Sequence, residues 1–135
     1  MSEENVEIAR RLHPAFNRRD VDEVLSVLDP DVEWIPIMAA LEGRVYRGHE
    51  GVVRWMEELE TDWEIFETRP EEFRDLGDRV LILGCWRARG RASGVELASE
   101  PASWLLELKD GKVVWLQTFT DRSEALAAAG VKERA

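Results

Sequence analysis

Hydrophobic positions near the start of the chain repeat with the period of an α-helix. The apolar residues lie one, three or four positions apart and fall on one helical face: Ile8, Ala9, Leu12, Ala15 and Phe16. Pro14 lies inside this segment and lacks the backbone N–H of a regular helical residue. The pattern therefore predicts a first helix with a kink or local opening at Pro14.

Two further helices and a strand are predicted before residue 63. Asp20 and Glu23 have the spacing of a capping box, so a second helix begins there and buries Val24, Leu25, Val27 and Leu28. Asp29-Pro30 is expected to end it, because the residue before proline disfavours helical geometry. Residues 32–37 predict a short strand. A third helix opens at Gly48, with Val52, Trp55, Met56 and Leu59 on one face.

From Trp63 onward the hydrophobic period changes to two, which is typical of β-strands. Turn signals at Gly77-Asp78, Ser93-Gly94 and Asp110-Gly111 separate the apolar runs and predict antiparallel strands. A second capping box at Asp121 and Glu124 begins a short terminal helix that ends at Gly130. Helices followed by a meander of strands indicate an α+β fold.

The predicted turns also predict which side chains share a face of the sheet. A two-residue loop at Asp110-Gly111 and a turn centred on Gly94-Val95 place one set together: Leu83, Cys85, Arg87, Trp104, Leu106, Trp115, Gln117, Phe119 and Asp121. The opposite face is also too apolar to contact water, so a second copy of the chain is its simplest cover. A shift of one residue would exchange the two faces.

Composition narrows the function classes. The chain has 135 residues, which suits a single domain over 1–135, and its formal net charge of −10 disfavours nucleic-acid and membrane-surface partners. Cys85 is the only cysteine and the two histidines are distant in sequence, so no disulfide, metal site or cofactor is predicted. The first residues lack the apolar segment of a signal peptide, and we expect a cytoplasmic protein.

Several motifs in sequence order resemble one known family. They are "NRRDVDEVLSVLDPDVEW", "YRGHEGVVRWM", "DGKVVWLQTFTD" and "EALAAAG". Together they resemble the SnoaL-like branch of the nuclear transport factor 2-like superfamily over nearly the whole chain. The resemblance implies a cone-shaped, curved, mainly antiparallel sheet with three helices on its concave face and a short C-terminal helix. It also implies an apolar pocket and a homodimer formed through the outer sheet face.

The resemblance implies activities that the residues only partly support. Ketosteroid isomerases carry proton-transfer groups at positions that fall near Leu12, Trp34 or Ile35, and Trp104, and none of these residues can transfer the proton. That activity is not supported. The base of the SnoaL-type polyketide cyclases matches Asp121. Asp121 is also the cap of the last helix, and a capping carboxylate is a weak base, so both roles stay open.

These arguments predict a small-molecule site rich in tryptophan. An apolar, carbonyl-bearing ligand would contact Leu12, Trp34, Met38, Cys85, Arg87, Trp104, Trp115, Gln117 and Phe119. If the protein is an enzyme, we expect a cofactor-independent isomerase, cyclase or lyase with Asp121 as base. His13 and His49 are interpreted as structural residues. The alternative is a non-catalytic dimeric scaffold with a filled core.

Overall fold

Five helices and six strands form the fold in the computed structural model, which describes residues 2–130. The helices are α1 (Ser2–Asn17), α2 (Val21–Ser26), α3 (Ile37–Glu42), α4 (Gly48–Asp62) and α5 (Arg122–Ala129). The strands are β1 (Leu28–Ile35), β2 (Tyr46–Arg47), β3 (Trp63–Asp75), β4 (Arg79–Gly90), β5 (Glu96–Lys109) and β6 (Lys112–Phe119).

Side-chain caps begin two of the helices, as the sequence predicts. Asp20 accepts a hydrogen bond from the backbone N–H of Glu23 at 3.1 Å, and Asp121 accepts one from that of Ser123 at 2.8 Å. Gly130 ends α5 in the left-handed region, with φ of 75°. Helix α1 continues through Pro14 to Asn17, so the proline does not end it.

Two expectations about the segment after α2 are also wrong. Helix α2 ends at Ser26, and Asp29-Pro30 lies inside strand β1 rather than at a helix end. The pairing of β1 with β6 is irregular between Leu28 and Glu33, so the missing N–H of Pro30 removes no regular ladder bond. Helix α3 was not predicted; it follows Pro36 and ends at Gly43, whose φ is 70°.

The strands form one six-stranded sheet in the order β2-β1-β6-β5-β4-β3. Only the β1–β6 pair is parallel among these strands, so the predicted, mainly antiparallel sheet is confirmed. Helices α1 and α4 pack across the concave face and bury the larger core against it, from Leu12 to Leu116. The fold is the predicted α+β cone.

The predicted register of β5 is wrong on both sides. Trp104 pairs with Ile82 and Thr118 rather than with Cys85 and Gln117. Leu108 and Val113 pair as expected next to the turn. Between Leu108 and Glu107, however, a β-bulge gives β6 one residue more than β5, which shifts the pairing of the rest of the two strands by one residue. The loop before β5 is also centred two residues earlier than the predicted turn, because Gly90 and Val95 bond across it at 2.9 Å.

The convex face of the sheet carries a second core beneath α5. Its buried residues are Leu81, Leu83, Leu105, Phe119, Ala125, Leu126 and Ala129. Leu76 and Trp115 pack at its edge. Helix α5 therefore covers much of the apolar surface for which the sequence predicts a second copy of the chain.

Candidate functional site

A small cavity lies between the concave face of the sheet and helix α1. Its volume is about 40 Å³, room for about three water molecules. The lining residues are Leu12, His13, Phe16, Trp34, Pro36, Ile37, Trp55, Phe66, Thr68, Trp86, Trp104, Leu116 and Thr118. None of these side chains in the described part of the chain carries a carboxylate, ammonium or guanidinium group.

Four tryptophans give the cavity an aromatic wall. Trp34 and Trp55 lie with ring centroids 5.4 Å apart, and Trp86 stacks on Phe66 at 5.6 Å. Trp104 meets the ring of His13 edge to face at 4.5 Å. Such flat, apolar surfaces suit an aromatic or planar ligand.

His13 is the polar residue at the centre of this wall. It is 4% exposed, and its Nδ1 lies 2.8 Å from the hydroxyl of Thr68 on β3. Burial lowers the pKa of His13 from 6.5 to about 4, because the charged imidazolium would lose its hydration. His13 is therefore neutral at physiological pH.

Asn17, one turn after His13 on α1, holds Thr68 in place. Its side-chain amide donates to the backbone carbonyl of Thr68 at 2.8 Å and accepts from the backbone N–H of Thr68 at 3.0 Å. The Thr68 hydroxyl is also 3.3 Å from Asn17 Oδ1. These contacts tie α1 to β3 and connect His13 to a polar chain that leads out of the cavity.

Three ring nitrogens of residues that line the cavity are buried and have no hydrogen-bond partner within residues 2–130. They are His13 Nε2, Trp34 Nε1 and Trp86 Nε1. Buried polar atoms are nearly always paired in folded proteins, so each unpaired atom calls for an explanation. A bound molecule that supplies the missing partners would explain all three.

The structure brings together only part of the predicted binding set. Leu12, Trp34 and Trp104 line the cavity. Cys85 and Arg87 line a separate open groove at β3 and β4 instead. Met38 is 54% exposed on α3 and lies outside the cavity lining.

The remaining predicted contacts lie on the other side of the sheet. Gln117 pairs with Leu105 and Phe119 with Ser103, both of which face away from Trp104. Trp115 packs at the edge of the convex core. Their predicted place on the face of Trp104 is wrong, because the bulge in β6 shifts their side chains to the opposite face.

The expected position of Asp121 at the pocket is also wrong. The residue is exposed, caps α5 through the Ser123 N–H, and is absent from the cavity wall. The structure thus favours its capping role.

Sequence reasoning missed the two residues that complete the polar part of the site. Thr68 contacts His13 across 55 positions of sequence, and Trp86 reaches the cavity after a bulge that follows Gly84. The only available signal was the position of His13, on the same helical face as Leu12 and Phe16. A histidine on a buried helical face needs a hydrogen-bond partner, and here that partner is Thr68, a second polar residue of the cavity lining.

Residues 2–130 contain neither a cluster of metal-binding side chains nor a membrane-spanning helix. No group of three His, Cys, Asp or Glu side chains in residues 2–130 is arranged to hold a metal ion. None of the helices there has the length and apolar character to cross a bilayer.

Comparison with known proteins places the chain in a family. A SnoaL-like domain matches residues 9–116, most of the chain and nearly every cavity residue. The chain belongs to the SnoaL-like domain family. No protein of curated function matches it.

Solved structures of similar fold cover the SnoaL-like chain almost completely. An NTF2-like protein of unknown function from Burkholderia pseudomallei has a TM-score of 0.77 at 25% identity, over 92% of this chain and 95% of its own. TerC, co-crystallised with polyporic acid, has a TM-score of 0.76 at 23% identity, over 94% and 98%. A candidate polyketide cyclase from Xanthomonas campestris has a TM-score of 0.75 at 16% identity, over 95% and 98%.

Proposed function

We propose that this SnoaL-like protein binds a small, uncharged, largely apolar molecule in the tryptophan cavity. The observation that carries the proposal is a mainly aromatic cavity whose lining residues His13, Trp34 and Trp86 each have a buried ring nitrogen without a partner in residues 2–130. Each buried, unpaired polar group costs about 1–3 kcal/mol, which a correctly placed ligand atom recovers. Binding therefore relieves a cost already present in the folded protein.

The electrostatics of the cavity select a neutral ligand. The polar groups of the lining residues are four indoles, two threonine hydroxyls and a neutral imidazole, and no charged side chain is among them. Moving an isolated ion from water into such surroundings is very unfavourable without a counter-charge. A carbonyl oxygen, by contrast, can accept from Trp34 or Trp86 without that penalty.

Helix α3 determines how large the ligand can be. The cavity of about 40 Å³ is far below the roughly 300–1,000 Å³ of pockets that enclose drug-sized molecules. Pro36 and Ile37, at the start of α3, form part of its wall. Only Ala39 of α3 is buried, while Met38 and Leu41 are exposed, so this short helix is the segment that can yield space most cheaply.

Carbonyl-bearing aromatic compounds are the first class to test, because they combine a flat apolar surface with an oxygen that can accept from an indole N–H. TerC was co-crystallised with polyporic acid, and the Xanthomonas protein is a candidate polyketide cyclase. If the SnoaL-like chain also acts as an enzyme, the reaction is a cofactor-independent isomerisation, cyclisation or elimination on such a ligand. Asp121 then has no part in it, since it lies away from the cavity wall.

Calorimetric titration with 1-tetralone, 2-naphthol and naphthalene tests the proposal. We expect saturable binding, weakened for 1-tetralone by Trp34→Phe or Trp86→Phe, which keep an aromatic ring but remove the N–H donor. Trp115→Phe is the matched control, because Trp115 packs at the edge of the convex core. The proposal is overturned if none of the three compounds binds at millimolar concentration. It is also overturned if Trp115→Phe weakens the binding of 1-tetralone as much as Trp34→Phe and Trp86→Phe do.

The low cavity volume favours a second candidate, a dimeric scaffold with a filled core. In that case the apolar surface not covered by α5, including Leu97 at 47% exposed, contacts a second copy of the chain. Sedimentation equilibrium decides this role. A monomer at all concentrations together with ligand binding removes the scaffold candidate.

A further inference from the structure

The orientation of Asn17 is fixed by its bonds to the backbone of Thr68. The side-chain nitrogen faces the Thr68 carbonyl, and Oδ1 faces the Thr68 N–H. A flipped amide would place donor against donor and acceptor against acceptor. Oδ1 is therefore a pure acceptor at the point where it meets the Thr68 hydroxyl.

That assignment gives the Thr68 hydroxyl an acceptor on Asn17. Because Asn17 Oδ1 accepts only, the contact of 3.3 Å between it and Thr68 Oγ1 is a hydrogen bond donated by the hydroxyl. The hydroxyl has a single proton, so toward His13 it offers a lone pair. His13 Nδ1–H then donates to Thr68 Oγ1 over 2.8 Å.

The chain of bonds ends at the free nitrogen of His13. A neutral imidazole carries one proton, and with that proton on Nδ1 the Nε2 atom presents a bare lone pair. No donor within residues 2–130 satisfies it. The pKa of His13, about 4, makes Nε2 a hydrogen-bond acceptor rather than a strong base at neutral pH.

We propose that His13 Nε2 accepts a hydrogen bond from the hydroxyl group of a neutral phenolic or enolic ligand, with Thr68 and Asn17 as positioning residues that set the imidazole tautomer. The inference rests on the proposed function and adds the ligand class. Trp34 or Trp86 donates to an oxygen of the same molecule. A hydroxylated aromatic compound thereby pairs wall atoms that a pure hydrocarbon leaves unpaired.

The tautomer can be measured on the free protein by ¹⁵N NMR of the histidine rings near pH 8. We expect His13 to carry its proton on Nδ1. His49 is the internal control with the opposite assignment, because its Nε2 lies 3.0 Å from the Leu28 carbonyl and must donate to it. Thr68→Val should remove the Nδ1–H preference of His13 and leave His49 unchanged. A proton on Nε2 of His13 in the unaltered protein overturns the proposal.

Ligand preference gives the second test. We expect 2-naphthol to bind about ten-fold more tightly than 2-methoxynaphthalene, which has a similar ring system but no donor. His13→Phe should reduce that preference to near unity. Equal binding of the two compounds by the unaltered protein overturns the role of His13 while the proposed function stands. If neither compound nor 1-tetralone binds, the proposed function fails.

Discussion

The two faces of the sheet are both apolar, yet they are completed in different ways. On the convex face, α5 lays Ala125, Leu126 and Ala129 directly on the strands, and among the described residues the hydroxyl of Ser103 is buried there without a partner. On the concave face, the helices leave a cavity of about 40 Å³, and three of its lining residues have a buried ring nitrogen without a partner in residues 2–130. One face is filled by the chain itself, and the other keeps a cavity lined by buried ring nitrogens that have no partner within residues 2–130.

This difference indicates where the sequence specifies stability and where it specifies binding. Close packing without polar atoms is the most stable way to cover a sheet, and the convex face approaches it. The concave face keeps a buried histidine whose hydration is lost on folding. Sites that bind ligands often keep such local costs, because the ligand removes them.

The largest expected effect tests the filled face. Leu81 is fully buried in the convex core, so Leu81→Ala should lower the free energy of unfolding by about 2–5 kcal/mol through lost burial and a new cavity. Urea denaturation measures the loss. Leu97→Ala is the control on the neighbouring strand, since Leu97 is 47% exposed and should change stability by about 0.5 kcal/mol or less. A loss below about 1 kcal/mol at Leu81 would mean that α5 does not seal this face.

The next effect concerns acid stability on the concave face. The pKa of His13 is lowered to about 4 in the folded state from 6.5, so the unfolded chain binds the proton more tightly. Stability from this group is present above pH 6.5 and is lost as the pH falls, by about 3 kcal/mol at pH 4. His13→Phe keeps every carboxylate, so the free energy of unfolding of this variant should fall less steeply between pH 6.5 and pH 4, as measured by urea denaturation. If the free energies of unfolding of the variant and the unaltered protein fall in parallel with pH, His13 is in contact with water in the folded state.

The smallest expected effect on stability is at Asp121, and it tests whether changes on the convex face leave ligand binding on the concave face unaltered. Asp121→Ala removes the cap of α5 and should cost about 1 kcal/mol, whereas Asp121→Asn keeps a capping oxygen and should cost a few tenths. Neither variant should change the affinity for 2-naphthol, because Asp121 is not on the cavity wall. Thermal melts and calorimetry measure both quantities. If Asp121→Asn does not bind 2-naphthol, the Asp121 carboxylate takes part in ligand binding.

Local chemistry made much of the fold predictable from sequence. The capping residues Asp20 and Asp121 mark helix starts, and the turn at Asp110-Gly111 joins β5 to β6 as expected. These signals act between residues fewer than five positions apart. The α+β class followed from their order along the chain, and the cone shape from the resemblance of the motifs to the SnoaL-like family.

Most of the candidate site could not be predicted, and part of the reason is geometric. A bulge adds one residue without a distinctive sequence signal, and one residue exchanges the two faces of a strand. The bulge beside Glu107 therefore moved Gln117 and Phe119 away from Trp104. The partner of His13 lies 55 positions away, where no local pattern connects Thr68 to it.

The paired indoles of Trp34 and Trp55 have an optical consequence. Their ring centroids are 5.4 Å apart and their planes are inclined by 58°, a separation at which electronic transitions of two chromophores couple. Such coupling gives a circular dichroism signal whose sign and size depend on the mutual angle of the rings. Since both rings line the cavity, a molecule that enters it and turns either ring changes this signal. The protein thus contains its own unlabelled spectroscopic reporter of cavity occupancy.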